Sequence, residues 1–398
     1  MTTSSPDQLD EFRAGVREWC RTHIPAQWRR AQTDVSDAEF VRFQQDWFQE
    51  LRAAGFAVPH WPKQWGGGMS LAEQVVLYQE LAAHDAPRLV LAFVSIHHAA
   101  STLLAAGTEE QRQRHLPAIL NGEIWCQGFS EPGAGSDMAA LQTTARRAGD
   151  GYVVNGQKLW ASGAMHADWC LLLARTDPNA PKRHGISYFL LDMRTPGVDV
   201  RPIRQATGES HFCEIFLEDV TIPATRLVGP EHAGWRVAQQ TLGAERGMTM
   251  LELAERLGNG GFRWLVRLCA RPGPGGTRPL DDPLIGDRLA TLEIELTGLR
   301  ALCAELVAND HPGPADASIV KLYYSELLQR MTDFGTEVAG LAAHTELHKP
   351  RSSGWESGAW MLDFIGSWEW TIPGGTSEIQ RTIIGERGLG LPREPTGH

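Results

Sequence analysis

Apolar residues recur every three to four positions along most of the first 120 residues, the spacing of a helix with one buried face. Leu9, Phe12, Val16 and Trp19 set the first stripe, and Pro25 ends it. A second helical stretch covers residues 37–54 and stops at Gly55. Pro62 and Gly66-Gly67-Gly68 then require a loop, after which residues 70–84 resume the helical spacing. Thr108, with Gln111 three residues on, predicts a helix start with a capping box.

Near residue 122 the period shortens. Asn155-Gly156, between Tyr152-Val153-Val154 and Gln157-Lys158-Leu159-Trp160, predicts a two-residue hairpin turn. Residues 169–174 and 186–191 are apolar runs of buried-strand length, Pro196-Gly197 is a turn, and residues 214–220 alternate. From Gly234 the spacing is helical again. It predicts one long helix over residues 235–269, a Gly- and Pro-rich loop over 271–283, and helices over 284–307 and 315–347. Helices, strands and helices in that order, without alternating βα units, exclude a Rossmann-type dinucleotide fold. The expected architecture is mainly α with a central β domain. Its divisions are an N-terminal helical domain (1–121), a middle β domain (122–233) and a C-terminal helical bundle (234–398).

Composition narrows the function. The chain has 398 residues, 42% hydrophobic and 21% charged, which rules out wholesale disorder. A net charge of −11 argues against sequence-blind binding of nucleic acid or of an anionic membrane. No run approaches the ~18 apolar residues of a membrane span, and the polar first ten residues do not read as a signal peptide. Six scattered cysteines read as reduced thiols of a cytoplasmic protein, and the histidines show no metal spacing, so no metal is expected.

One loop carries candidate chemistry. In Ser130-Glu131-Pro132-Gly133-Ala134-Gly135-Ser136-Asp137, two glycines allow close backbone approach to a ligand, and Ser130 and Ser136 add hydroxyls. Further on, Trp160-Ala161-Ser162 offers an indole and a hydroxyl at a strand end. A flavin needs both an apolar wall and donors for its ring edge.

These segments resemble the acyl-CoA dehydrogenase family, as do Gly107-Thr108-Glu109-Glu110-Gln111, Gly122-Glu123 and Gly374-Gly375-Thr376-Ser377-Glu378-Ile379-Gln380-Arg381. The matches keep the family's order over about residues 55–393. The resemblance implies a helical N-terminal domain, a β-barrel-like middle and a C-terminal four-helix bundle. It also implies FAD, with contacts on Gln127, Phe129, Ser130, Gly135, Ser136, Trp160, Ser162, Arg278, Thr376 and Glu378. Ser136 and Gly375 would touch the substrate, an acyl-CoA.

The implied reaction is α,β-dehydrogenation, in which a carboxylate takes the α-proton and flavin N5 takes the β-hydride. Many members carry the base at the position of Gly374, which has no side chain here. A second solution in the family places a glutamate before an arginine on the first long C-terminal helix, and here those residues are Glu245 and Arg246. Glu245 shares a helical stripe with Ala238, Thr241, Leu242, Met248 and Thr249, a mostly uncharged surface that would raise its pKa. By resemblance, Arg246 orients active-site groups and the Gly374 N–H donates to the thioester oxygen.

The chain departs from the family around Arg278, where the usual Phe-Gly is missing, and at residues 338–343, where a Gly-Gly-x-Gly segment is absent. Both changes imply that the adenine end of FAD is held differently. The implied electron acceptor is an electron-transfer flavoprotein, and the implied assembly is a homotetramer or homodimer, with a mixed tetramer of two different subunits as the variant seen in sterol-side-chain members. The alternatives are an acyl-carrier-protein-linked dehydrogenase, an acyl-CoA oxidase, or a non-catalytic flavin-binding subunit.

Overall fold

Helix initiation in the N-terminal region rests on one repeated device. The helices there are α1 (Pro6–His23), α2 (Trp28–Ala31), α3 (Asp37–Ala53), α4 (Leu71–Ala83), α5 (Ala100–Ala106) and α6 (Glu109–Leu120). Ser5, Ser36, Ser70 and Thr108 cap α1, α3, α4 and α6, and Gln8, Glu39, Glu73 and Gln111 reach back to close a capping box each time. A π-helical stretch, Val94–Ala99, runs directly into α5. The computed structural model describes residues 5–243, 248–273, 275–309 and 313–393.

Among the described residues seven strands follow: β1 (Trp125–Gly128), β2 (Thr144–Ala148), β3 (Gly151–Ser162), β4 (Trp169–Arg175), β5 (Ile186–Asp192), β6 (Val198–Ile203) and β7 (Phe212–Pro223). The sheet runs β1-β4-β2-β3-β7-β6, with β5 also on β4. Contact of β4 with three neighbours curls the sheet. The unbroken apolar runs in β4 and β5 have a plain cause, since both strands are buried along almost their whole length.

Asn155-Gly156 does not turn the chain, contrary to the sequence expectation. The β2–β3 hairpin turns at Gly149-Asp150, between the paired Ala148 and Gly151. Asn155-Gly156 instead forms a bulge inside β3, where pairing with β7 shifts between Val154 and Gly156. The Asn155 amide exchanges hydrogen bonds with Asp219 at 3.0 and 2.8 Å. Gly156 is needed for close approach, because a Cβ there would lie 2.4 Å from Thr143 Oγ1 and 2.7 Å from its Cα.

The C-terminal helices are α7 (Gly234–Gly243), α8 (Met248–Arg256), α9 (Arg263–Ala270), α10 (Pro283–Ala308), α11 (Asp316–Ala339), α12 (Trp360–Ser367) and α13 (Ser377–Ile383). Where one helix is expected over 235–269, α7 and α8 flank residues 244–247, which lie outside the described residues, and α8 runs into a π-helical stretch, Leu257–Phe262, where the sequence Leu-Gly-Asn-Gly-Gly-Phe lets Arg300 approach. A Cβ on Gly258 would stand 2.3 Å from the Arg300 guanidinium. The helix expected to reach residue 347 ends at Ala339, because Gly340 adopts φ +56° and a 3-10 turn follows.

One buried hydroxyl cluster ties the three regions together, and one buried ion pair anchors the middle region. Thr102 of α5 and Thr241 of α7 meet at 2.6 Å, and the Tyr188 hydroxyl of β5 lies 3.4 Å from each. Lys158 of β3 is 0% exposed, and its Nζ lies 2.8 Å from Glu131 Oε1 and donates to the Phe129 carbonyl at 3.3 Å. Glu131 also accepts the N–H groups of Gln142 and Thr143 at 2.6 and 2.9 Å. Burial alone would push Glu131 up; the Lys158 charge and the hydrogen bonds from Lys158, Thr143 and Gln142 outweigh it and hold the carboxyl below the usual range. All six cysteines are buried free thiols, and no helix among the described residues is long and apolar enough to cross a membrane.

Lys158→Met strands a buried carboxylate, so chemical denaturation is expected to show a loss of about 3–5 kcal/mol. Adding Glu131→Gln to that protein should recover part of the loss. Because the folded pKa of Glu131 is depressed, its stabilisation is fully present above an unfolded pKa of about 4.3 and is lost as pH falls through the folded value. Lys158→Met should therefore flatten the acid limb of the stability curve.

Candidate active site

A cavity of about 450 Å³ opens where the N-terminal helices, the ends of β1 and β3, α8 and the segment before α13 converge. One wall is apolar and includes Trp47, Leu51, Leu81, Leu91, Val94 and Ile96. Gln127, Trp160 and Ser162 line it from the sheet, and Gly374 and Gln380 line it from the C-terminal segment. The structure thus brings Gln127, Trp160, Ser162 and Gly374 to one cavity.

Backbone irregularity aims the indole. Pairing of β3 with β7 shifts again between Lys158 and Ala161. Trp160 takes φ +61°, and its ring stands edge-on to Phe212, 54% exposed. A left-handed tryptophan is a strained residue at a cavity mouth, a common mark of a functional position. Gln127 Nε2 is buried without a hydrogen-bond partner among the described residues. An unpaired amide donor, an exposed indole and the Ser162 hydroxyl around one cavity fit a flavin ring, which presents a flat apolar face and an edge of acceptors.

Other expected contacts lie elsewhere. The Phe129 ring is packed in the core, edge-on to Tyr188 at 5.7 Å. Ser130 is half-buried and accepts the Leu159 N–H through its carbonyl at 2.9 Å. Gly135 and Ser136 are exposed and, with Ser130, stand outside the cavity lining. Arg278 is exposed and pairs with Asp281 at 2.6 Å. Thr376 caps α13, accepting the Ile379 N–H at 3.3 Å, and Glu378 is exposed in the first turn of that helix.

Gly374 and Gly375 form a turn with φ +65° and +98°. Gln380 Nε2 donates to both carbonyls, at 2.8 and 3.2 Å, and Lys321 Nζ donates to the Gly375 carbonyl at 2.8 Å. A Cβ on Gly374 would meet nothing within 4 Å, so the missing side chain leaves open space. Burial pushes Lys321 down to about 8.

Glu245 and Arg246 lie outside the described residues. On either side of them, Leu242 of α7 and Thr249 of α8 line the cavity. The carboxylates in the lining already have partners, Asp37 pairing with Arg351 at 2.6 Å. Glu252 pairs with Arg256 at 2.7 Å, and Glu369 accepts the Trp355 indole N–H at 2.7 Å while burial pushes it up. Sequence reasoning missed Arg88, His97, Lys321 and Gln380, all of which line the cavity. Arg88 had a readable signal, a lone arginine before the apolar Leu89-Val90-Leu91. The His97 ring stacks on His60 at 4.8 Å, and burial holds it well below its ordinary pKa, hence neutral.

Comparison with known proteins identifies the family. The acyl-CoA dehydrogenase N-terminal domain matches residues 6–123, the middle domain residues 126–220 and the C-terminal domain residues 232–389. The acyl-CoA dehydrogenase IpdE1 of Mycobacterium tuberculosis is 38% identical, over 98% of this chain and 99% of that one. Among solved structures, the Tcur3481-Tcur3483 steroid ACAD superposes with a TM-score of 0.82 at 30% identity, covering 99% of this chain and 100% of its own. The ChsE4-ChsE5 complex from Mycobacterium tuberculosis gives 0.80 at 31% identity, covering 99% and 100%. With a relative this similar along essentially its whole length, the chain belongs to the acyl-CoA dehydrogenase family of flavoprotein oxidoreductases.

Proposed function

We propose that the protein is an FAD-dependent dehydrogenase that introduces an α,β double bond into an acyl-CoA thioester, with Glu245 as the base. The observation that carries this reading is the convergence on one cavity of the unpaired Gln127 amide and the exposed Trp160 indole with the Gly374 turn and both flanks of residues 244–247. The flavin, when bound, supplies the hydride acceptor. Gln127, Trp160 and Ser162 would hold its ring, and Thr376 and Glu378 would contact it from α13. Ser136 and Gly375 would contact the acyl-CoA.

The chain's own task is to remove a proton from a weak carbon acid. Glu245 does this from a mostly uncharged stripe that raises its affinity for the proton, and Arg246 orients the groups around it. The Gly374 N–H donates to the thioester oxygen as negative charge develops there. Gln380 and Lys321 hold the carbonyls of the turn that carries that N–H. Space beside Gly374 suits a bulky or branched acyl group, in keeping with the relative titled a steroid ACAD. Electrons pass to an electron-transfer flavoprotein. Two relatives carry the names of two proteins each, which supports a mixed assembly with a second chain over a homotetramer.

Glu245→Gln should slow anaerobic bleaching of the flavin by acyl-CoA about 10²- to 10⁴-fold in stopped flow, and undiminished bleaching would remove Glu245 as base. Gln127→Leu deletes the amide donor and should weaken flavin retention about 5- to 100-fold, read from the flavin released on dilution. Lys321 is protonated below about pH 8, so its bond to Gly375 weakens above that value. The rate should fall on an alkaline limb near pH 8, and Lys321→Arg should move that limb upward.

A further inference from the structure

Arg88 is a cation without a hydrogen-bonding task. It follows α4 and lines the cavity, with its side chain 19% exposed. Among the described residues no acceptor takes a hydrogen bond from its guanidinium, and the nearest carboxylate oxygen, on Glu356, is 3.9 Å away. The contrast is Arg256 in the same lining, whose Nε reaches Glu252 at 2.7 Å and whose Nη1 reaches the Ala86 carbonyl at 2.8 Å. Arg256 is a satisfied structural arginine, and Arg88 is not.

The backbone around Arg88 is held from several sides. Its N–H donates to the Ser352 carbonyl at 2.8 Å, and its own carbonyl accepts Gln44 Nε2 at 2.8 Å. Buried Gln44 also accepts the N–H groups of Val90 and Leu91 at 2.7 and 3.1 Å. The Trp47 indole donates to the Pro87 carbonyl at 2.8 Å. Gly354 leaves room for the guanidinium, since a Cβ there would lie 2.2 Å from Nη1. This is a pre-positioned fork of donors beside an apolar wall formed by Leu81, Leu89, Leu91 and Val94.

We propose that Arg88 selects the substrate, donating to a neutral oxygen acceptor, a ketone or hydroxyl oxygen, carried on the acyl skeleton away from the thioester. The proposal rests on the acyl-CoA dehydrogenase reading above. A plain hydrocarbon would cover the guanidinium and leave its N–H groups unpaired, an unfavourable exchange. A carboxylate on the ligand is disfavoured for a different reason. Glu356 already faces Arg88 at 3.9 Å and Glu369 stands in the same lining, so a negative charge added beside Arg88 would meet like charges.

The test uses three CoA thioesters, of 3-cyclohexylpropanoate, 3-(4-oxocyclohexyl)propanoate and 3-(4-carboxycyclohexyl)propanoate. Each is measured for kcat/KM by flavin bleaching and for Kd by calorimetry, on the wild-type holoenzyme, Arg88→Met and Arg88→Lys. The wild type should prefer the oxo ester over the plain ring ester, and Arg88→Met should weaken the oxo ester about 10- to 100-fold in both measures while leaving the ring ester within about twofold. Arg88→Lys, which keeps the charge and loses the fork, should fall between. Equal loss on both esters, or no wild-type preference for the oxo ester, would overturn the proposal, and so would tightest binding of the carboxy ester. Should none of the three bleach the flavin, the dehydrogenation reading fails, while the calorimetric comparison still decides Arg88.

Discussion

The buried Lys158–Glu131 pair is the constraint on which the site's sheet side depends. Neither charge belongs in a protein interior alone, and each is tolerable only with the other in place. Lys158 sits two residues before Trp160, and Glu131 opens the turn that holds Gly133. Fixing one to the other fixes the separation of two segments 27 positions apart in sequence. The backbone N–H groups of Gln142 and Thr143 extend the same anchor to the start of β2. A cavity wall built from a bulged strand end needs such an anchor, because its own ladder is interrupted there.

The cavity draws on all three regions of the fold, so no region makes it alone. The hydroxyl cluster of Thr102, Tyr188 and Thr241 shows how they are registered. Three side chains from α5, β5 and α7 share hydrogen bonds in a site closed to water, where slippage of any one element would orphan the others. Directly beyond Thr241 the chain lines the cavity at Leu242, and it does so again at Thr249. Polar contacts thus set the relative placement of elements whose packing surfaces are otherwise interchangeable apolar faces.

Local chemistry explains what was legible in the sequence. The capping box at Thr108, the apolar runs of β4 and β5 and the turn at Gly197 are read from neighbouring residues, and the structure has them. Asn155-Gly156 misled because its glycine answers Thr143, a residue brought close only by the fold. The π-helical stretch Leu257–Phe262 was invisible for the same reason, since Gly258 there answers Arg300, a residue distant in sequence. In the site, Trp160 and Gln127 were found through motif and resemblance. Arg88, Lys321 and Gln380 were missed, since a cavity wall assembled from separate helices has no spacing rule along the chain. Glu245 stays a matter of motif, beyond the described residues.

Trp160 holds a conformation that glycine would adopt without penalty, and keeping an indole there costs roughly 1–3 kcal/mol of folding stability. The molecule therefore carries a residue that folding alone would discard. A lineage selected only for heat resistance would drift toward glycine at this position and lose the indole at the cavity mouth in doing so. Durability and the make-up of the cavity mouth are in opposition at one backbone torsion.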